Sequence, residues 1–453
     1  MPSTPPSRAR LLARAGLLAG ALALLPATTA GLAAVDGRTS AAFSRLYTVY
    51  QLVKANYVDQ TDDEKLVKGA IDGMLASLDP HSAYLEGSSL ATINTMMDGG
   101  YTGLGISVAP DKGTVKVISP MHGSPAEKAG IKPGDYITHL DGKLIVDGDF
   151  EDAVNHMRGP PGTSIRLTVF RPERDDPFDV TVTRAFIDLE PVSAKLEGNI
   201  GEITVNEFSK DVGKQVFAAL QDLRKKAGGR LSGLVLDLRE NPGGELEEAV
   251  TLSDLFLTNG VIVSQRGRLH EENYVYRAET SFAGDAAAGL PIVVLIDAGT
   301  ASASEIVAGA LQDHHRAVVM GERSFGKGSV QSVFPIDATH KVKLTTARYY
   351  TPSGRSVQEG GIQPDIRVPQ ISDPDARKRE AFALRESDLR GHLVNEAGLD
   401  DKKLEADKKA DPRFAMTPAE LETKGIKDFQ LWYAVETLRH ANGSAPLGKM
   451  AGR

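Results

Sequence analysis

The stretch "GTASASEI", residues 299–306, supplies three hydroxyls, on Thr300, Ser302 and Ser304, with no Cys, Asp or His among them. A serine hydroxyl attacks a carbonyl only when a base takes its proton and donors stabilise the oxyanion that forms. The preceding "VVLID" reads as a buried strand and the residues after Ser302 as a helix. A serine at a helix N-terminus meets unpaired N–H groups and a dipole that favours negative charge. The same position suits plain N-capping, and Glu305, three residues on, fits a capping box. Taken alone, the stretch fits a cap as well as a nucleophile.

A base must come from elsewhere in the chain. His314 and His315 end the following helix about three turns from Ser302, so they read as exposed helix-end residues. "GERSFGKGSVQSVF", residues 321–334, offers Lys327 between two glycines. A buried amine loses solvation, which lowers its pKa by as much as about 3–5 units, and a lysine near neutrality can accept a serine proton. Gln331 lies four residues on, an even spacing that in an extended strand puts it on the same face as Lys327. Lone Lys and Gln residues beside glycine are also common on loop surfaces. The segment lacks the glycine spacing and following Lys-Ser/Thr of a phosphate loop.

Two further stretches could bind or stabilise. In "LVLDLRENPGGELEEAV", residues 234–250, a buried strand runs into Gly243-Gly244. Glycines there could aim an N–H at an oxyanion or simply make a tight turn. Asp237 and Arg239 read as a structural ion pair. In "GLGISV", N–H groups around Leu104 and Gly105 could cap a carboxylate after Gly103, while the strand from Ile106 to Val108 pairs with a peptide by β-augmentation.

The elements that must position these residues change in texture along the chain. An apolar run, Ala15 to Leu25, follows Arg8, Arg10 and Arg14, and small residues follow it. This reads as an export signal in residues 1–33, cleaved near Ala30 or Ala33; the run is short of the about 20 residues of a bilayer span, and an uncleaved anchor is the other reading. Residues 36–97 read as helical, with Leu46, Val49, Leu52 and Val53 on one face of a packed pair and His81 in a turn. Residues 98–186 alternate like short strands and suit a small β-rich domain. Residues 187–370 alternate strand and helix, with nearly all-apolar strands of the kind buried on both faces. Residues 371–453 read as a charged, solvated or linker-like region ending in an amphipathic helix over 429–441.

The chain of 453 residues, 41% hydrophobic and 25% charged, has the composition of a soluble globular protein. Its net charge of −8 argues against nucleic acid as a partner. With no cysteine, disulfides, thiolate nucleophiles and Cys-ligated zinc are excluded.

Together these motifs resemble the carboxyl-terminal processing proteases, bacterial periplasmic serine peptidases that carry a PDZ domain. The likeness covers about residues 40–370 through "SLDPHSAYL", "GLGI", "SPAEKAGIKPGD", "DLRENPGG", "SASEI", "FGKGSVQ" and "YYTPSGRSVQ". It implies Ser302 as nucleophile, Lys327 as general base and Gln331 as their partner. It implies oxyanion donors at Ala303 and at Gly243 or Gly244, and places Thr300 and Ser304 in structural support. It further implies an α/β core of the crotonase or ClpP kind with an inserted PDZ domain, and capture of substrates by their free apolar C-termini. No metal or cofactor is expected. An adaptor or activator protein and a homodimer or higher oligomer are compatible with it. A non-catalytic PDZ scaffold requires Ser302 and Lys327 to be idle, which intact matches at all three positions oppose. The export signal, the PDZ segment and the lack of paired catalytic carboxylates oppose a coenzyme-A hydratase.

Overall fold

The structure is a computed structural model, and it describes residues 37–87, 90, 100–111, 114–121, 123–145, 150–172, 174, 176–188, 190–279, 284–372, 385–389, 391–398 and 416–441. The expected export signal, residues 1–33, lies outside them. The chain divides into two compact units between Ile71 and Asp72.

In the first unit the helix Gly37–Asn56 leads to the start of a second helix, Asp63–Ala76. Tyr50 donates to Asp63 Oδ1 at 2.8 Å, tying them together. The apolar face does not pack as the periodicity predicts. Leu46, Val49 and Leu52 are each more than half exposed.

In the second unit, the helical reading fails at residues 83–86. Ala83–Glu86 is a strand, antiparallel to the long strand His340–Tyr350 with Ala83 opposite Lys343. Its partner lies more than 250 residues away, so no local pattern announces it.

The β-rich domain is an antiparallel sheet ordered Ile106–Asp111, Thr114–Pro120, Tyr136–Leu140, Ser164–Phe170, Phe178–Thr183. Strand period two is visible in Ser164–Phe170, where Ile165, Leu167 and Val169 are buried between exposed or half-buried neighbours. Entry and exit, Gly100–Gly103 and Ala185–Asp188, pair antiparallel, so the domain is inserted with its ends side by side. Ile106–Asp111 is an edge strand.

The larger core is a six-stranded sheet ordered Val192–Glu197, Ile200–Val205, Gly233–Asp237, Ile292–Ile296, Val318–Gly321, Ile366–Arg367. All pairs are parallel except the first. Every residue of Gly233–Asp237 and Ile292–Ile296 is buried, as strands covered on both faces require. Val212–Lys226, Leu246–Asp254 and Ala303–Asp313 cover one face. The closing helix Phe429–Ala441 covers the other with Leu431, Tyr433, Ala434, Val435 and Leu438, so it packs on the body. Each such side chain contributes about 1.5–3 kcal/mol of burial.

A second sheet joins Ala83–Glu86, His340–Tyr350, Val261–Gly267 and Tyr274–Arg277, with Ser329–Pro335 also paired to His340–Tyr350. Part of the charged C-terminal region also departs from its solvated reading. Glu386 is fully buried and Arg385 is 8% exposed, because both bond to the core as described below. The run "DDKKLEADKKADPRF" lies outside the described residues.

Candidate active site

Three loops leave the carboxyl ends of neighbouring parallel strands, the place where open α/β sheets bind ligands. Gly233–Asp237 leads to Asn241–Gly244, Ile292–Ile296 to Ser302, and Val318–Gly321 to Lys327. Strand order therefore gathers residues that are far apart in sequence.

Ser302 ends the second loop in a strained conformation, with φ 56° and ψ −115°, which costs a non-glycine residue about 1–3 kcal/mol. A serine on such a strand-to-helix turn is lifted out of the helix end. The Glu305 N–H goes to the Ser302 carbonyl at 2.9 Å, and the Ser302 hydroxyl makes no cap bond to the helix Ala303–Asp313. Only the Glu305 half of the capping box forms, its Oε2 accepting the Ser302 N–H at 2.8 Å. The other hydroxyls brace the loop. Thr300 donates to the Leu238 carbonyl at 2.8 Å, and Ser304 to the Asn241 carbonyl at 3.0 Å.

Glu305 does more than cap. Its fully buried carboxylate accepts Ser324 Oγ at 2.5 Å and the Gly326 N–H at 2.8 Å on Oε1. Its Oε2 takes the Lys327 N–H at 2.9 Å beside that of Ser302. Desolvation pushes its pKa up to about 7 against these four donors. Sequence reasoning assigned Glu305 only the cap; the signal it missed was the glycine-rich loop at 326–328, whose bare N–H groups needed an acceptor.

The Lys327 loop is held from two more sides. Phe325 N–H donates to the Thr300 carbonyl at 2.9 Å, and the Tyr349 hydroxyl donates to the Lys327 carbonyl. Burial pushes the Tyr349 phenol up, and contact with the Ser302 hydroxyl offsets part of that rise. By surface area Lys327 is only partly buried, yet desolvation is the main cause that lowers its ammonium below the usual lysine range. Lys343 lowers it further, while Glu386, Glu305 and Asp79 push it back. Among the described residues no hydrogen bond joins the Ser302 hydroxyl to the Lys327 amine.

Among the described residues Gln331 makes no hydrogen bond to Lys327. It donates to Ser329 Oγ at 2.9 Å and Thr345 Oγ1 at 3.3 Å. Lys327 precedes the strand, which begins only at Ser329, so the alternation of an extended strand does not relate Lys327 to Gln331.

Gly243 lies against the Ser302 loop with φ +100°; a Cβ there would sit 2.8 Å from Ser302 Cβ and 2.9 Å from Ala303 N. Its own N–H is already donated to Asn241 Oδ1 at 2.9 Å. The N–H groups of Ala303 and Gly244 have no acceptor among the described residues.

At the far end of this layer, Arg239 grips Asp237 through Nη2 at 2.5 Å and Asp428 at 2.8 Å, and Gln430 Oε1 at 3.0 Å. The structural reading of the Asp237–Arg239 pair holds, and it reaches the start of the closing helix.

In the β-rich domain, Gly103 ends the entry strand, and Leu104 and Gly105 precede the edge strand. The carbonyls of Leu104 and Gly105 accept the N–H groups of Ala126 and Met121, both at 2.9 Å. Their own N–H groups have no acceptor among the described residues. Gly105 has φ +72°, and a Cβ would come 2.4 Å from Ser124 Cβ. Ile106 and Val108 pack partly on the domain core.

A carboxy-terminal-processing protease of Bartonella bacilliformis is 44% identical over 351 residues, covering 77% of this chain and 80% of the relative. The chain belongs to the carboxy-terminal processing proteases. The model for peptidase family S41 matches residues 199–368, a PDZ domain model residues 116–171, and one for the activating protease CtpB N-terminal domain residues 27–89. The S41 match contains Gly243, Gly244, Ser302, Lys327 and Gln331, whereas the PDZ match begins after the 103–108 loop. Carboxy-terminal processing protease CtpB of Bacillus subtilis is 34% identical, covering 80% of this chain and 74% of that one. A solved photosystem II D1 C-terminal processing protease superposes with a TM-score of 0.57 at 27% identity, covering 78% of this chain and 94% of that chain. This carboxy-terminal processing protease is therefore a serine-type peptidase of mixed α/β fold that carries a PDZ domain.

Proposed function

We propose that Ser302 is the nucleophile of this peptidase and Lys327 its general base. The observation that carries the reading is the Ser302 turn: a strained backbone frees the hydroxyl from capping, beside the unpaired Ala303 N–H and in the same carboxylate cradle as Lys327. The neutral Lys327 amine takes the hydroxyl proton as Oγ attacks the scissile carbonyl. The tetrahedral oxyanion lies on the Ala303 N–H and a glycine N–H. Gly244 offers an unpaired donor, and Gly243 serves only by releasing Asn241. The ammonium then protonates the leaving amine, and water hydrolyses the acyl-enzyme. Base action is worth about 10²–10⁴ in rate and one oxyanion donor about 10²–10³. Gln331 completes the arrangement by turning from Ser329 and Thr345 to steady the amine.

The PDZ domain captures a free apolar C-terminus. Leu104 and Gly105 N–H groups cap the carboxylate, and the peptide pairs with the edge strand through Ile106 and Val108. We read the catalytic core as crotonase or ClpP-like, flanked by the domains at the boundaries given above. The N-terminal basic and apolar segment supports export to a periplasm-like compartment, where exported proteins are the substrates. The match to an activating protease's N-terminal domain supports an activator or adaptor partner, and the exposed helix face at Leu46, Val49 and Leu52 supports a homo-oligomer.

The test incubates wild type, Ser302→Ala and Lys327→Ala with an unfolded protein bearing an apolar C-terminus. Cleavage by wild type and its loss in both variants is expected. Cleavage that persists in either variant overturns the assignment; no cleavage by wild type favours a scaffold or a missing activator.

A further inference from the structure

Two segments distant in sequence meet behind the loop that carries Lys327. Residues 385–389 run along it: Arg385 Nη1 donates to the Arg323 and Ser324 carbonyls at 2.8 and 2.9 Å, and Glu386 N–H to the Phe325 carbonyl at 3.3 Å. The Glu386 side chain is wholly buried and accepts Gln358 Nε2 at 3.0 Å. Gln358 Oε1 in turn accepts the Gly328 N–H at 3.1 Å. Gly328 allows this approach, since a Cβ would lie 2.5 Å from Gln358 N. From the other side comes His81, whose Nε2 meets both Glu386 oxygens at 3.0 and 2.9 Å; a ring nitrogen facing a carboxylate donates. Asp79 fixes His81 by accepting its N–H at 2.8 Å.

We propose that Glu386 is a positioning residue for the peptidase reaction: it holds the Lys327 loop through Gln358 and Phe325, and it supplies a fixed negative charge to the lysine amine. The proposal rests on Lys327 being the base. A buried carboxylate without a role is costly, and this one is spent on no surface ion pair. Its partners are His81, Gln358 and the loop backbone. The charges acting on Lys327 come from four elements: Lys343 on the strand His340–Tyr350, Glu305 on the serine helix, Asp79 before the strand Ala83–Glu86, and Glu386 on the C-terminal segment. Three are acidic and one is basic. Glu386 works against Lys343 and against burial, so it holds back the loss of the amine's proton. The neighbouring His392–Glu359 pair, 2.8 Å apart, anchors the same segment.

The test compares kcat/KM against pH for wild type and Glu386→Gln on one peptide substrate, with Ser302→Ala and Lys327→Ala as controls. Removing the charge moves the acid limb to lower pH, while weaker anchoring lowers kcat about tenfold with KM within about twofold. A limb that stays in place, with activity reduced equally at every pH, makes Glu386 a purely structural residue and overturns the proposal even when both controls are dead. Activity persisting in either control removes the base assignment and the proposal with it. If Glu386→Gln fails to melt cooperatively, His81→Gln is read instead. It leaves the carboxylate without its imidazole, so a limb above the wild-type position supports the proposal and a limb at or below it overturns it.

Discussion

Ser302 and Lys327 are joined through a single oxygen atom: both backbone N–H groups donate to Glu305 Oε2, at 2.8 and 2.9 Å. The link fixes the main chain on which each side chain turns, whichever rotamer the side chains adopt. It also makes the cradle sensitive to one carboxylate.

Glu305→Gln replaces an acceptor oxygen by a donor facing N–H groups. We expect kcat to fall about 10²-fold with KM little changed, since the proposed Ser302–Lys327 pair is misplaced while distant substrate contacts remain. The same variant flattens stability against pH. Glu305 has its folded pKa raised to about 7, so its contribution is complete below the unfolded value of 4.5 and is lost as pH rises through about 7. The window amounts to about 3 kcal/mol, read from urea midpoints of wild type and variant across that range.

Lys343→Met removes the positive neighbour that lowers the Lys327 ammonium. Lys327 should then hold its proton to higher pH, and the acid limb of kcat/KM should move up. Lys327→Arg, always protonated, should be inactive at every pH. A limb that moves down in Lys343→Met would contradict the electrostatic account.

Gly243→Ala places a methyl group 2.8 Å from the Ala301 carbonyl oxygen and from Ser302 Cβ at φ +100°. A loss of about 10²–10³ in kcat and about 1–3 kcal/mol in stability is expected, measured by steady-state kinetics and by chemical unfolding. Wild-type turnover would show that the Ser302 loop tolerates displacement.

Arg239→Met leaves Asp237 buried without its cation, a change that costs about 3–5 kcal/mol. Asp428 is affected too: Arg239, opposing desolvation, holds its carboxyl down to about 2. In wild type that contribution is present above the unfolded value of 3.8 and is lost as pH falls through about 2. Thermal melts of both proteins at pH 7 and pH 3 should therefore differ more at pH 7.

For the PDZ domain, a fluorescent peptide with a free apolar C-terminus should bind about tenfold tighter than its amide, since charge-assisted hydrogen bonds are worth about 1.5–3 kcal/mol. Gly105→Val, which collides with Ser124, should abolish the difference in an anisotropy titration.

Much of this was legible in the chain. Apolar runs marked the buried strands, and the Gly-Gly and Ser-Ala-Ser-Glu turns marked the site, because each is a local pattern. The strand Ala83–Glu86 was not legible, since its pairing with Lys341 and Lys343 is wholly non-local. Glu386 looked like one more charge in a solvated run because burial depends on His81, some 300 residues away. The placement of Gln331 relative to Lys327 was not legible from even spacing, because the strand starts only at Ser329, after Lys327. The Glu305 cap was read correctly and too narrowly.

The clamp made by Arg385, Glu386 and Asp428 has a consequence in time. All three lie beyond Ser302 and Lys327 in chain order, yet they brace the Lys327 loop and the layer beneath it. A polypeptide emerging N-terminus first carries Ser302 and Lys327 before the residues that brace their loops. If those two residues do the cutting, chains truncated before Arg385 should not cleave peptides, and a truncation series assayed for turnover checks this.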